Sequence, residues 1–120
     1  MEQKNSGWNL PNPKWSTITI LDSKTESDSI YLAGAVSPKI CLKDNGGITS
    51  VVCSLLLSSD KLNWYKMKDE STGADKEYVF GEGQCIDTTT DTYGFSYLKL
   101  VSTVAPSGDN IIFDVMTNIF

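Results

Sequence analysis

Ile48-Thr-Ser-Val-Val-Cys-Ser-Leu-Leu-Leu-Ser58 is followed by Ser59-Asp-Lys-Leu-Asn63 and then by Trp64-Tyr-Lys-Met-Lys68. In the first segment Val51, Cys53, Leu55 and Leu57 fall on one side of an extended chain, and Val52 and Leu56 on the other. A strand that is apolar on both faces belongs in the interior of a sheet. The polar run after it reads as a tight connection, and residues 64–68 alternate as a returning strand. Strand, turn, strand is the reading from which the rest follows.

Outward from this unit the chain keeps the same grammar. Residues 15–21 alternate, with Ile18 and Ile20 opposed to Thr17 and Thr19. Short strands are expected at 29–33 and 39–42, divided by Gly34 and Pro38. Asp44-Asn45-Gly46-Gly47 has the residues that accept the positive φ of a tight hairpin. Strands at 77–80, 84–86 and 95–101 follow, broken by Gly81, Gly83 and a Thr-rich turn at 87–94. A last strand over 110–118 is apolar enough to be buried in a sheet. No stretch carries the i, i+3, i+4, i+7 pattern of a helix. About eight strands joined by turn chemistry predict an all-β, antiparallel β-sandwich of jelly-roll or immunoglobulin-like topology. Residues 15–120 form that single domain, and residues 1–14, with Trp8 between polar residues and Pro11 and Pro13 forbidding helix, form an extended N-terminal arm.

Composition narrows function before any motif does. The chain has 120 residues, no histidine, and lysine for all ten of its cations. Without histidine there is no Ser-His-Asp or Cys-His machinery. Without arginine there is no bidentate fork for phosphate or guanine, and a net charge of −5 repels a polyanion. Neither nucleic acid nor a membrane is an expected partner, since a bilayer span needs about 20 apolar residues. Met1–Gly7 holds no apolar signal-peptide core, so synthesis in a reducing cytoplasm is expected. Cys41, Cys53 and Cys85 cannot supply the four ligands of a structural zinc site. Three reduced thiols are the expectation, with one disulfide and a spare thiol as the alternative.

Three acid pairs, Asp69/Glu70, Asp75/Glu77 and Asp87/Asp91, are the nearest thing to catalytic carboxylates or calcium ligands. All lie in polar loops, where acids ordinarily face water, so the chain is expected to be non-enzymatic and to hold no metal or cofactor. Among the aromatic residues, Trp64 is the one expected in the core, with Tyr65 on the opposite face. Tyr93, in a turn before Gly94, is the candidate for stacking on a ligand.

Two stretches carry a resemblance. Ser54-Leu-Leu-Leu-Ser-Ser-Asp-Lys-Leu-Asn-Trp64 is similar to the strand, Ser-x-Asp-Gly-x-x-Trp, strand hairpin of small β-sandwich virion proteins of tailed bacteriophages. Tyr97-Leu-Lys-Leu-Val-Ser-Thr103, with Ala105-Pro106 and a terminal strand, resembles their second signature. Ile30-Tyr-Leu-Ala-Gly-Ala-Val-Ser-Pro38 matches a third stretch in position. Lys61-Leu62 stands where the hairpin has Gly, so a different turn is expected, and Val101 stands where the second signature carries Arg. The resemblance implies a virion structural protein, foremost a capsid decoration or cement protein made in the host bacterial cytoplasm. Its partners would be the major capsid protein or other virion subunits, with a homo-oligomer, foremost a trimer, on the particle. Trp8, Pro11, Pro13 and Trp15 would then anchor the arm on a neighbour. The same hairpin also resembles discoidin-like galactose-binding jelly rolls. That likeness implies a carbohydrate-binding module or virion adhesin, with Tyr93, Asp87 and Asp91 as its candidate ligand residues.

Overall fold

Residues 13–32, 38–88, 92 and 94–118 are described by the structure, a computed structural model. Within them the strands are β1 (Pro13–Ile20), β2 (Ile30–Tyr31), β3 (Lys39–Asn45), β4 (Val51–Ser58), β5 (Tyr65–Lys66), β6 (Glu77–Phe80), β7 (Cys85–Asp87), β8 (Tyr97–Ser102) and β9 (Ile111–Asn118). The first sheet has the order β1-β9-β3-β7. The second runs β2-β8-β4, with β5 and β6 both on the far edge of β4. Every pairing is antiparallel. The fold class is the all-β sandwich that the strand and turn pattern predicts.

The winding is simple. β1 pairs with β9, β2 with β8, β3 with β7 and β4 with β6. The chain is therefore one long hairpin turning near β5, and rolling it up adds the β3–β9 and β4–β8 pairings. β4 is paired on both edges, as its two apolar faces demand, and β9 lies between β1 and β3.

Alternate residues of each strand meet between the sheets. Ile18, Ile20, Ile40, Leu42, Ile111, Phe113 and Val115 of the first sheet face Val51, Cys53, Leu55, Leu57, Phe80, Leu98 and Leu100 of the second, all of them buried. Phe80 and Phe113 meet edge to face at 5.2 Å between ring centroids, an arrangement that the quadrupoles of the rings favour.

Three expectations need correction. The Asp44–Gly47 turn forms, with Gly46 at φ 62° and Gly47 at φ 80°, but it joins β3 and β4, which lie in different sheets. It is a corner rather than a hairpin, and Gly46 is needed there because a Cβ would stand 3.1 Å from the backbone of Asn110. Cys41 and Cys85 are not free thiols: they sit directly opposite each other on β3 and β7 and form a disulfide. Register brought them together across 44 residues, a proximity that sequence spacing does not reveal. Only Cys53 is a free thiol, and it is buried. Trp64 is not among the core residues but half-buried over the outer face of the second sheet, beneath the Lys99 ammonium, because Tyr65 rather than Trp64 is the residue paired with Leu57. Lys61 adopts φ 66°, the left-handed conformation that ordinarily favours glycine. β1 begins at Pro13, so Pro13 and Lys14 are paired with Asn118 and Thr117.

Candidate functional site

The outer face of the first sheet is laid out by register. Trp15 lies opposite Met116, Met116 opposite Lys39, and Lys39 opposite Asp87, so one row crosses β1, β9, β3 and β7. Three strand spacings make such a row roughly 15 Å wide. Trp15 is 55% exposed although its neighbour Ser16 is partly covered, because the odd residues of β1 point outward while Ile18 and Ile20 fill the core. In the next row Thr17 donates its hydroxyl hydrogen to the Asp114 carboxylate at 3.2 Å, beside the Cys41–Cys85 disulfide. Trp15 and Asp87, expected in two different kinds of site, thus share one row. Pro13 pairs through its backbone with Asn118 at the same end of the sheet. Trp8, Pro11, Asp91 and Tyr93 lie outside the described residues.

The outer face of the second sheet carries a second row. Tyr31 on β2 lies opposite Tyr97 on β8, their ring centroids 5.3 Å apart. Lys61 stands over the Tyr97 ring at 5.9 Å. Lys99, one inward-facing residue further along β8, reaches over the Trp64 ring at 4.5 Å and pairs with Glu26 at 3.2 Å. Tyr31 is 62% exposed. Sequence reading expected Trp64 in the core and did not single out Tyr31. The available signal was its place in an alternating pair, outward beside inward-facing Ile30.

The turn that carries Lys61 is organised by Asp60. Its carboxylate accepts hydrogen bonds from the Leu62 amide at 2.9 Å, the Asn63 amide at 2.8 Å and the Asn63 side-chain amide at 2.8 Å. Ser58 adds its hydroxyl at 3.0 Å. These donors, the Asn63 backbone first among them, hold the Asp60 carboxyl far below the usual carboxylate range.

The remaining acids are engaged locally. Asp69 accepts from the amide and hydroxyl of Ser71, and these bonds lower its pKa. Asp75 is held by Lys68 and, at 3.4 Å, by Lys66, and its pKa is lowered chiefly by the Lys68 hydrogen bond. Both lie on a short excursion between β5 and β6, closed where the Lys76 amide donates to the Met67 carbonyl. Among the described residues no three His, Cys, Asp or Glu side chains converge as a metal site. The Tyr78 hydroxyl is buried without a hydrogen-bond partner.

Fold and surface together define a small antiparallel β-sandwich with Trp15 on the outside of one sheet and a row of aromatic residues on the outside of the other. No protein-family model and no curated protein sequence matches the chain. Among solved structures, the crystal structure of the SPBc2 prophage-derived protein YomS is similar, with a TM-score of 0.50 and 10% identity. The likeness covers 89% of this chain and 96% of that one, and it is a likeness of fold.

Proposed function

We propose that this chain is a phage-related, non-enzymatic structural protein of the virion, of the capsid-decoration kind. The observation that carries the reading is the Trp15–Met116 row: a half-exposed tryptophan and a methionine side by side on an otherwise regular sheet face. Tryptophan is over-represented among the residues that dominate interface energy, and methionine adapts to irregular partners. Residues 1–14, expected to form an arm, directly precede Trp15 in the sequence. The long hairpin, rolled so that first strand meets last, supports a jelly-roll topology, the double-sheet architecture found in capsid domains. The prophage origin of YomS supports the phage setting, and a Cys41–Cys85 disulfide suits a particle that leaves the reducing cell.

On this reading the protein is made in the host cytoplasm and docks on the major capsid protein or another virion subunit, as a trimer on the particle. Light scattering should give a mass near three times 13.2 kDa, and the protein should sediment with empty heads. Trp15→Ala should weaken head binding by roughly tenfold or more, the effect of losing a hot-spot aromatic. Heads that leave the saturating protein in the supernatant would overturn the reading.

A further inference from the structure

The row on the second sheet differs in kind from the Trp15 row, and the difference points to a ligand. Tyr31, Tyr97 and Trp64 line a strip that crosses the strand positions of β2, β8, β4 and β5, roughly 15 Å from end to end. Tyr and Trp present an apolar ring face together with a polar edge, the combination that a sugar's C–H face and hydroxyls require.

Charge separates a glycan from a dry protein contact. Lys61 and Lys99 stand on the aromatic rings themselves. The centre of a protein–protein interface is depleted of charge, and sealing two ammonium groups there would cost several kcal/mol each unless they were paired. A glycan is itself hydroxylated and leaves them hydrated. Lys99 already has Glu26 as its counter-ion. Lys61, by contrast, has no carboxylate within salt-bridge reach among the described residues, its ammonium meeting only the Tyr97 ring. The adjacent Asp60 does not neutralise it, because that carboxylate is turned into its own loop by four hydrogen bonds. An otherwise acidic protein therefore holds an uncompensated cation over the middle ring of an aromatic strip.

We propose that the outer face of the second sheet is a binding site for an acidic oligosaccharide. Sugar rings stack across Tyr31 and Tyr97 toward Trp64, and a carboxylate of the glycan pairs with Lys61. The site needs neither particle assembly nor the Trp15 face, so its success or failure is separate from that of the virion reading.

The test is titration of the full-length protein with galacturonate and hyaluronate tetramers and sialyllactose, with maltotetraose as the neutral comparison, followed by calorimetry and by backbone amide shifts. At least one acidic oligosaccharide should bind better than maltotetraose, shifting the amides of β2 and β8, with affinity falling as salt rises. Tyr31→Ala should weaken binding by roughly tenfold. Lys61→Asn, which tolerates the left-handed backbone, should remove the preference for acidic over neutral sugars while leaving the melting temperature near that of the wild type. Lys43→Gln, on the exposed face of the other sheet, should change nothing. The proposal is overturned if no acidic member of the panel binds at millimolar concentration, or if Lys43→Gln weakens binding as much as Lys61→Asn. Loss of head binding in Tyr31→Ala, with no oligosaccharide bound by the wild type, would assign the strip to a protein partner and equally overturn it.

Discussion

At Lys61 the backbone holds φ 66°, a conformation that costs an L-residue about 1–2 kcal/mol. It persists because the neighbouring donors are committed to Asp60 and Ser58: the Lys61 amide itself donates to the Ser58 hydroxyl oxygen at 2.8 Å. Lys61→Gly removes that cost and returns about 0.4–1 kcal/mol as unfolded-chain entropy, so a net gain of about 0.5–1 kcal/mol is expected. A higher denaturant midpoint at unchanged m-value is the reading that checks it. The Asp60 carboxyl has a lowered folded pKa, so its ionised form stabilises the fold fully above the unfolded value of about 4. That contribution drains away as the pH falls below about 4 toward the lowered folded value. Asp60→Asn keeps an acceptor but no charge. The melting temperature of the wild type should therefore exceed that of the variant at pH 7, and the gap should close in acid. The third residue of note, Cys53, is pushed up to about 12 by burial. It should not react with a thiol reagent at pH 8 until the protein is unfolded.

Among the elements, β7 depends most on a single link. It is three residues long, lies at the edge of its sheet and pairs only with β3. The Cys41–Cys85 disulfide clips it there from the exposed side of the sheet, helped by the Leu42 amide donating to the Gln84 carbonyl at 3.0 Å. Cross-linking residues 44 apart removes loop-closure entropy from the unfolded chain, about 4 kcal/mol on the chain-entropy argument. Cys41→Ser combined with Cys85→Ser should lower the unfolding free energy by about 2–4 kcal/mol, read by denaturant titration under non-reducing conditions. β5 and β6 make the contrasting case. They are two halves of one strand position along β4, and the excursion between them, held by Lys66, Lys68 and Asp75, sits outside the core.

Across the whole molecule the two sheets are joined by side chains alone, since strands of different sheets share no ladder. Phe113 on β9 and Phe80 on β6 are the largest residues of that junction, both essentially inaccessible. Phe113→Ala should cost about 3–5 kcal/mol, measured as a fall in the denaturant midpoint, because a rolled sandwich cannot close over the missing volume. Val79, outward on β6 and exposed, offers the comparison: Val79→Ala should stay within about 0.5 kcal/mol. The outer surfaces divide between the Trp15, Met116, Lys39 and Asp87 row on one sheet and the Tyr31, Tyr97 and Trp64 aromatics with Lys61 and Lys99 on the other. Those two characters underlie the assembly role and the acidic-glycan site proposed above.

The all-β class, the central place of residues 51–58, the burial of the last strand and the position of nearly every turn were determined by sequence alone. Each depends on local alternation and on residues that tolerate particular φ values, and both are written within a few positions of one another. Partner choice was not determined in this way. Asp44–Gly47 specifies a reversal but not whether the strands it joins will pair, and the rolled hairpin separates them. Cys41 and Cys85 meet because β3 and β7 share a register, and Trp15 shares a row with Asp87 for the same reason. Trp64 lies outside the core because the register of β4 with β5 gives Leu57 to Tyr65 instead. Pairing and facing are set by the summed burial of every strand at once. Tertiary structure therefore decided the disulfide, the corner and both surface rows.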